Sequence, residues 1–342
     1  RYIVMSMQSQ AEFLKLYQAQ LKPALRNLEP ARKEALSVFL AALFFVLASI
    51  PGFIIFSRTE KPADLLLALI PLGIGIYIFF RYSEKRNIYA AEFKERVIRE
   101  LVRLIDSNLS YYPEQLITEP EYRESDIFRN PIDRYSGDDL VEGMLGVTRC
   151  RFSELEHQEK KESVDSKGRR RTHWVTIFKG IFFIADFNKH FNGRTYVVPD
   201  AGSSFLGIGK LFEKWTMGRG DLVELENPEF EKLFTVYGTD QIEARYILST
   251  SLMERLVNFR RKANTRIHLS FIHSKLYLAL SVNKNLFEPN VFSSGVKSGY
   301  LKDYFNYLEL VTGIIDDLNL NLRIWGKGPQ ALDSNEFRRM DI

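Results

Sequence analysis

LSVFLAALFFVLASIPGFIIF (36–56) and LLLALIPLGIGIYIFF (65–80) stand back to back, parted only by SRTEKPAD (57–64). Neither run carries a charge. A helix rises about 1.5 Å per residue, so about 20 residues cross a hydrocarbon core of about 30 Å. The first run, 21 residues long, meets that length. The second has 16 and reaches it when Ala63 and Tyr82 extend it, Tyr82 lying at the interface. The pattern predicts a membrane hairpin over 36–80, its spans 36–56 and 63–80, bounded by Leu36, Phe56, Leu65 and Phe80. Pro51 and Pro71 fall inside the spans, where paired membrane helices tolerate them. Gly73 and Gly75 would let the two helices approach closely. A buried hairpin in a soluble protein is the competing reading. Two uncharged runs in succession are hard to cover in 342 residues.

Orientation follows from the basic residues. Lys15, Lys22, Arg26, Arg32 and Lys33 precede the first run, and Arg81, Lys85, Arg86, Lys94 and Arg96 follow the second. The connecting loop has Arg58 and Lys61, offset by Glu60 and Asp64. The bias predicts both termini in the cytoplasm and only a short loop outside. The first run begins too far into the chain, and is too long, for a cleaved signal peptide. Arg1 is not a natural initiator, and Met5 or Met7 is the expected beginning.

Amphipathic helices are expected on both sides. In 1–35, Phe13, Leu14, Tyr17, Leu21, Leu25 and Leu28 recur at helical spacing, with Pro23 and Pro30 expected to bend or divide the helix. In 81–106 no proline or glycine interrupts the stripe of Tyr89, Phe93, Val97, Leu101 and Ile105, so this helix should continue the second span. The two helices either pair with each other, dock on neighbouring subunits through Phe93 and Val97, or lie on lipid.

Residues 107–140 are polar and carry Pro113, Pro120 and Pro131, and read as a linker with short helical turns. From Val141 the period changes to two. Alternation over 144–152 predicts a strand, and 172–178 and 181–187 predict two more. EKKESVDSKGRRR (159–171) reads as a charged hairpin tip, where Arg169, Arg170 and Arg171 could meet lipid headgroups or an acidic partner; a solvated loop is the simpler alternative. Asn192–Gly193 is a turn signal before a strand at 195–198. Residues 201–220 contain GSSFLGIGK, which departs from phosphate-loop spacing and has Leu211 where Ser or Thr must hold magnesium. Phe205, Leu206 and Trp215 make this segment either a membrane or partner contact or a helix packed on the sheet. A strand at 222–225, helices opened by Asp240 and Ser251, a hairpin over 267–282, a helix over 300–318 and a strand over 320–325 follow. The whole is α+β: a two-helix membrane hairpin with juxtamembrane helices, a cytosolic and mainly antiparallel sheet domain at 141–327, and a loose tail at 328–342.

Chemistry is sparse. His157, His173, His190, His268 and His273 show no metal-ligand spacing, and His268 reads as an exposed strand residue. Cys150, the one cysteine, excludes an intramolecular disulfide and has no nearby base. Asp186, Asn188, Lys189, His190, Asn192 and Arg194 form the densest polar cluster, which reads first as a self-satisfied turn. Asp138–Asp139 and Asp316–Asp317 are chain neighbours that do not face one another. No cofactor or metal is expected, and an enzyme is the less favoured reading. The net charge of +4 lies largely beside the membrane and gives no support to nucleic-acid binding.

TIFKGIFFIADFNKHFNGRTYVVPD (176–200), LVELENPEFEKLFTVYGTDQIEARYILSTSLMERL (222–256) and LFEP (286–289) closely resemble the bacterial domain-of-unknown-function family numbered 3137, over roughly Ser136 to Lys327. The resemblance implies a bacterial, membrane-anchored protein with no catalytic residues to carry over, and a LemA-like membrane protein as a partner. The expectation is therefore an inner-membrane, multi-pass protein that touches membrane lipid, self-associates, and uses its cytosolic domain as a protein-interaction or scaffold module. The alternative is a lipid- or envelope-related enzyme or carrier with a site near 186–220.

Overall fold

The computed structural model describes residues 13–164, 169–187, 190–200, 218–283, 285–296, 298–318 and 320. They divide into two compact units. One comprises Arg1–Leu104 and Leu286–Tyr307, the other Ile105–Asn285 and Leu308–Ile342.

The first unit is built on helices α1 (Phe13–Thr59) and α2 (Pro62–Ile105). Pro30 and Pro51 lie inside α1 without ending it, and a single π-type turn at Tyr17–Leu21 is its one departure from α geometry. Glu60 ends α1 in the left-handed conformation (φ 53°), its N–H bonded to Phe56 O at 2.8 Å, and Pro62 opens α2. Contacts run antiparallel: Gly52 against Ala68, Val46 against Gly75, the Phe39 ring 5.2 Å from Tyr82, and Glu34 paired with Lys85 at 2.8 Å. The facing residues are small and recur every seven positions, Ala35, Ala42 and Ser49 on α1 and Ala68 and Gly75 on α2. That spacing keeps one seam turned toward the partner helix. A Cβ on Gly52 would stand 2.5 Å from Ala68 N, and one on Gly75 would stand 2.9 Å from Val46 Cγ2. The expected close approach is thus made by Gly75, with Gly52 as its unforeseen counterpart. Gly73 has nothing within 4 Å. Large apolar residues face outward, among them Phe44, Ile70, Tyr77 and Phe80. Both helices are long and apolar enough to cross a membrane.

The second unit carries a nine-stranded antiparallel sheet in the order β1-β2-β3-β4-β9-β8-β5-β7-β6. Its strands are β1 (Leu109–Tyr112), β2 (Arg134–Leu145), β3 (Thr148–Val164), β4 (Arg170–Asp186), β5 (Arg194–Pro199), β6 (Asp221–Leu222), β7 (Phe234–Gly238), β8 (Ile267–Ile272) and β9 (Lys275–Ser281). The fold class is α+β, as the sequence predicts. On β8 and β9 the pairs Ile267–Leu280, Leu269–Leu278 and Phe271–Leu276 fall on one face, as their alternation requires. Phe178, Phe182, Ile184, Tyr196 and Tyr277 line the other face.

The stretch read as a linker covers that second face. Leu116, Ile117, Tyr122, Ile127 and Phe128 pack on it, and β1, helix α3 (Glu119–Glu124) and the start of β2 all come from this stretch. Two strands, β3 and β8, hold it by polar contacts: Ser153 Oγ accepts from Ile117 N at 3.0 Å, Ser270 Oγ donates to Ser125 O at 2.6 Å, and His157 stands between Tyr122 OH (3.1 Å) and Pro131 O (3.0 Å). Its prolines hid an apolar content that has no single period because short pieces of strand, helix and irregular chain succeed one another within it.

Other expectations shift. The alternation over 144–152 spans two strands joined at Gly146–Val147, where Gly146 adopts φ 60°, rather than one. The two strands expected at 172–178 and 181–187 are the single strand β4. Helix α4 (Pro228–Glu231) is capped by Asn227, and helix α5 (Gln241–Ile247) by Asp240, whose side chain accepts from Ile242 N and Glu243 N. Helix α6 (Thr250–Ala263) is capped by Ser249, not Ser251. The last helix divides at Gly313 into α7 (Ser298–Thr312) and α8 (Ile314–Asp317). The strand at 320–325 and the tail fall, Leu320 apart, outside the described residues.

Candidate functional site

β3 and β4 outrun the rest of the sheet. β2 leaves β3 at Gln158, and β9 leaves β4 at Gly180. From Glu159–Val175 to Val164–Arg170 the two strands pair only with each other. Six rungs at about 3.3 Å each make a ribbon of roughly 20 Å. A bulge at His157/Gln158 precedes it, and Asp133 Oδ2 accepting from Lys160 N (2.7 Å) with Asn130 on Glu159 (3.0 Å) buttresses its base. Lys160, Glu162, Arg170, Arg171, Thr172 and His173 are exposed, and the Arg134 guanidinium lies 3.8 Å over the Trp174 ring. Arg169 and its two neighbours therefore stand at the far end of an extended arm, not on a short tip.

A partly buried polar cluster lies between the cover segment and the sheet. Asp126 (φ 51°) accepts from Arg129 Nε at 2.6 Å and from Tyr196 OH, with Arg194 Nη1 at 3.6 Å. Arg219 is 1% exposed, donates to Ile127 O at 2.7 Å and stands 5.1 Å over the Tyr196 ring. Burial pushes the Asp126 carboxyl up, but the hydrogen bonds from Arg129 and Tyr196 and the nearby guanidinium charges outweigh it and hold it below the ordinary range. Burial, then the charge of Arg129, lowers Arg219 to about 10. His268 is not an exposed strand residue. It sits half-buried with its ring 5.1 Å from Phe128, and burial with the charges of Arg219 and Arg266 lowers it to about 3.

A third place is acidic. Asp138, Asp139 and Glu154 bring carboxylate oxygens within 4.8 Å of one another. The cross-strand register Asp138–Glu154 and the bulge between Asp138 and Val141 assemble them, a relation that chain spacing cannot show. Asp139 is in the left-handed region (φ 59°) and accepts from Tyr111 OH. Beside them a pocket of about 220 Å³ is lined by Ser136, Glu154, Asn285 and the Glu156–Lys179 ion pair (3.0 Å). These carboxylates are the described groups best placed to hold a cation.

The remaining expected residues are dispersed. Leu36, Phe56, Leu65 and Phe80 lie on the two long helices. Phe93 and Val97 have no exposed surface, and Phe93 packs 5.9 Å from Tyr304 within the first unit. Phe205, Leu206 and Trp215, with most of the 186–220 region, lie outside the described residues. In the Asp186–Arg194 cluster, Asn192 N and Gly193 N donate to Glu243, and Arg194 faces Asp126, which is a turn tied to helix α5. Cys150 is buried, and burial together with the Asp106 charge pushes its thiol up to about 12, far from a nucleophile.

Two long apolar helices and a mainly antiparallel sheet unit define a membrane-associated α+β protein. Residues 176–320, from within β4 to Leu320, match the model of the family described as Protein of unknown function (DUF3137), in agreement with the resemblance read from the sequence. One similar solved structure is the crystal structure of the mycobacterial trehalose monomycolate transport factor A, TtfA, at 10% identity over 66% of this chain and 96% of that one. Its TM-score of 0.34 does not establish a common fold. No curated protein matches the sequence.

Proposed function

We propose that this chain is a multi-pass protein of the bacterial inner membrane, with both termini in the cytoplasm, whose sheet unit is a protein-interaction module in a homo- or hetero-oligomeric complex. The supporting observation is the β3–β4 ribbon. A two-stranded ribbon that buries little apolar surface gains little stability against its ordering cost. Such an arm is best explained by a partner that it contacts. Residues 159–171 carry six Lys and Arg against three Asp and Glu, which favours an acidic protein surface. A LemA-like membrane protein, implied by the family resemblance, is the first candidate.

The test is a chain in which Asn-Gly replaces 160–174, purified in nanodiscs beside the wild type. The expected outcome is an unchanged melting temperature of the sheet unit with loss of a stoichiometric partner, or of the homo-oligomer, by native mass spectrometry. A wild-type chain that is a monomer without a protein partner but holds a stoichiometric lipid or metabolite would overturn the reading.

A further inference from the structure

Within the first unit, residues 286–296 return to the two long helices and are fastened there. Arg32 Nη1 donates to Val291 O at 2.8 Å while its other nitrogens hold Glu29 (2.9 Å), and Ser294 Oγ donates to Glu29. Lys94 pairs with Glu288 at 2.8 Å, and Tyr17 OH donates to Val296 O. These contacts fix the height of the loop on the helices. Val291 is buried, and the next side chain, Phe292, is 58% exposed. Asn290 Oδ1 accepts from Phe292 N at 2.8 Å and shapes the tip. The Phe292 ring lies 5.0 Å from Phe39, edge-on, and Phe39 in turn lies 5.2 Å from Tyr82.

The position of Phe39 is informative. The uncharged run of α1 begins at Leu36, so Phe39 stands about 4.5 Å inside its edge, and Arg32 stands about 6 Å outside it. The loop between these two contacts straddles the boundary. At the same level stand the Lys85–Glu34 pair and exposed Arg81, groups suited to headgroups, and just beyond lie the outward apolar side chains Leu40 and Phe80. An exposed aromatic residue continuous with that apolar surface, with charges on its other side, has the character of an interfacial anchor.

We infer that the 290–293 tip is a third membrane contact, a monotopic one, with Phe292 seated at the boundary between headgroups and acyl chains. It would fasten a segment distant in sequence to the bilayer directly, beyond the two spanning helices. The inference rests on the hairpin crossing the bilayer.

The test uses the full chain, in a Cys150→Ala background, in nanodiscs of phosphatidylethanolamine and phosphatidylglycerol. An environment-sensitive fluorophore is placed at Phe292→Cys, at Phe44→Cys as a deep reference and at Arg103→Cys as a reference many turns away from the hairpin. Position 292 should show blue-shifted emission relative to 103, and stronger quenching by lipids spin-labelled near the headgroup than by those labelled at the chain end. Position 44 should show the reverse order. Emission and quenching at 292 that match 103 would overturn the inference while leaving the hairpin intact. If 44 also matches 103, the membrane hairpin itself fails. A blue shift at 292 without quenching by any lipid would mean that protein, such as a second copy of the chain, covers the ring, and would equally overturn it.

Discussion

Gly52 on α1 meets the backbone of Ala68 on α2, and no side chain fits between them. An added Cβ would lie 2.5 Å from the Ala68 nitrogen and 2.7 Å from its Cα. Backbone cannot step aside as a side-chain tip can. Gly52→Val should therefore splay the hairpin and cost about 1–3 kcal/mol, whereas Gly73→Ala, which meets open space, should be neutral. Thermal unfolding in nanodiscs separates the two. Equal stability for both variants would mean that the seam is looser than the structure has it.

The Lys94–Glu288 contact makes a second prediction. Lys94 is 6% exposed, while the Glu288 side chain retains 29%. Lys94→Met removes a buried charge but leaves a half-solvated carboxylate, so the loss should be about 1–3 kcal/mol, short of that for an orphaned fully buried ion. Glu288→Gln should cost more than Lys94→Met, because it removes a counter-charge from the more deeply buried member. Chemical denaturation of the three chains, read by tyrosine fluorescence, gives the ranking.

His268 predicts a pH dependence. Its folded value of about 3 lies below the usual 6.5, so between those values the unfolded chain binds a proton that the folded chain does not. Stability contributed by the neutral imidazole is present above pH 6.5 and falls as the pH drops toward 3. His268→Phe should flatten the melting-temperature profile across that window. Asp126 acts at the lower end. Its depressed carboxyl stabilises the fold above its unfolded value, about 3.9, and loses that contribution as the pH falls through the folded value. Asp126→Asn should lower stability at neutral pH and reduce the additional loss below about pH 4.

The ribbon and the body of the same two strands should separate by hydrogen exchange. Amides at 160–164 and 171–174 lie on a two-stranded arm with exposed side chains, whereas 150–156 and 180–185 sit between neighbours on both sides. Exchange in the arm should be faster by about a hundredfold or more, the equivalent of about 3 kcal/mol in opening free energy. Uniform protection along β3 would show the arm to be covered, for instance by a second molecule.

Much of this fold was legible before any coordinates. Two uncharged runs declare themselves by length, strand pairs such as β8 and β9 by strict alternation, and the Asn192–Gly193 turn by its residues. What escaped depended on partners distant in sequence. The cover segment 107–140 has no period because it follows the sheet surface, and its anchors Ile117, Tyr122 and Ile127 are spaced by that surface. Glu154 joins Asp138 and Asp139 only through strand register. Glu243 looks like half of a capping box, yet its carboxylate turns to Asn192 and Gly193 instead. His157 is one of five histidines without a spacing signal, and its task of holding Tyr122 and Pro131 required the fold.

The seven-residue recurrence along the hairpin seam has a mechanical consequence. Gly52 meets Ala68, and Ala42 and Val46 meet Gly75, in one register, and a slide by a single turn would drive larger neighbours against backbone. The two helices are thus geared together and move as one lever. A change in bilayer thickness cannot push one past the other like a piston. It can only tilt the pair, and whatever is fastened at its base is turned with it.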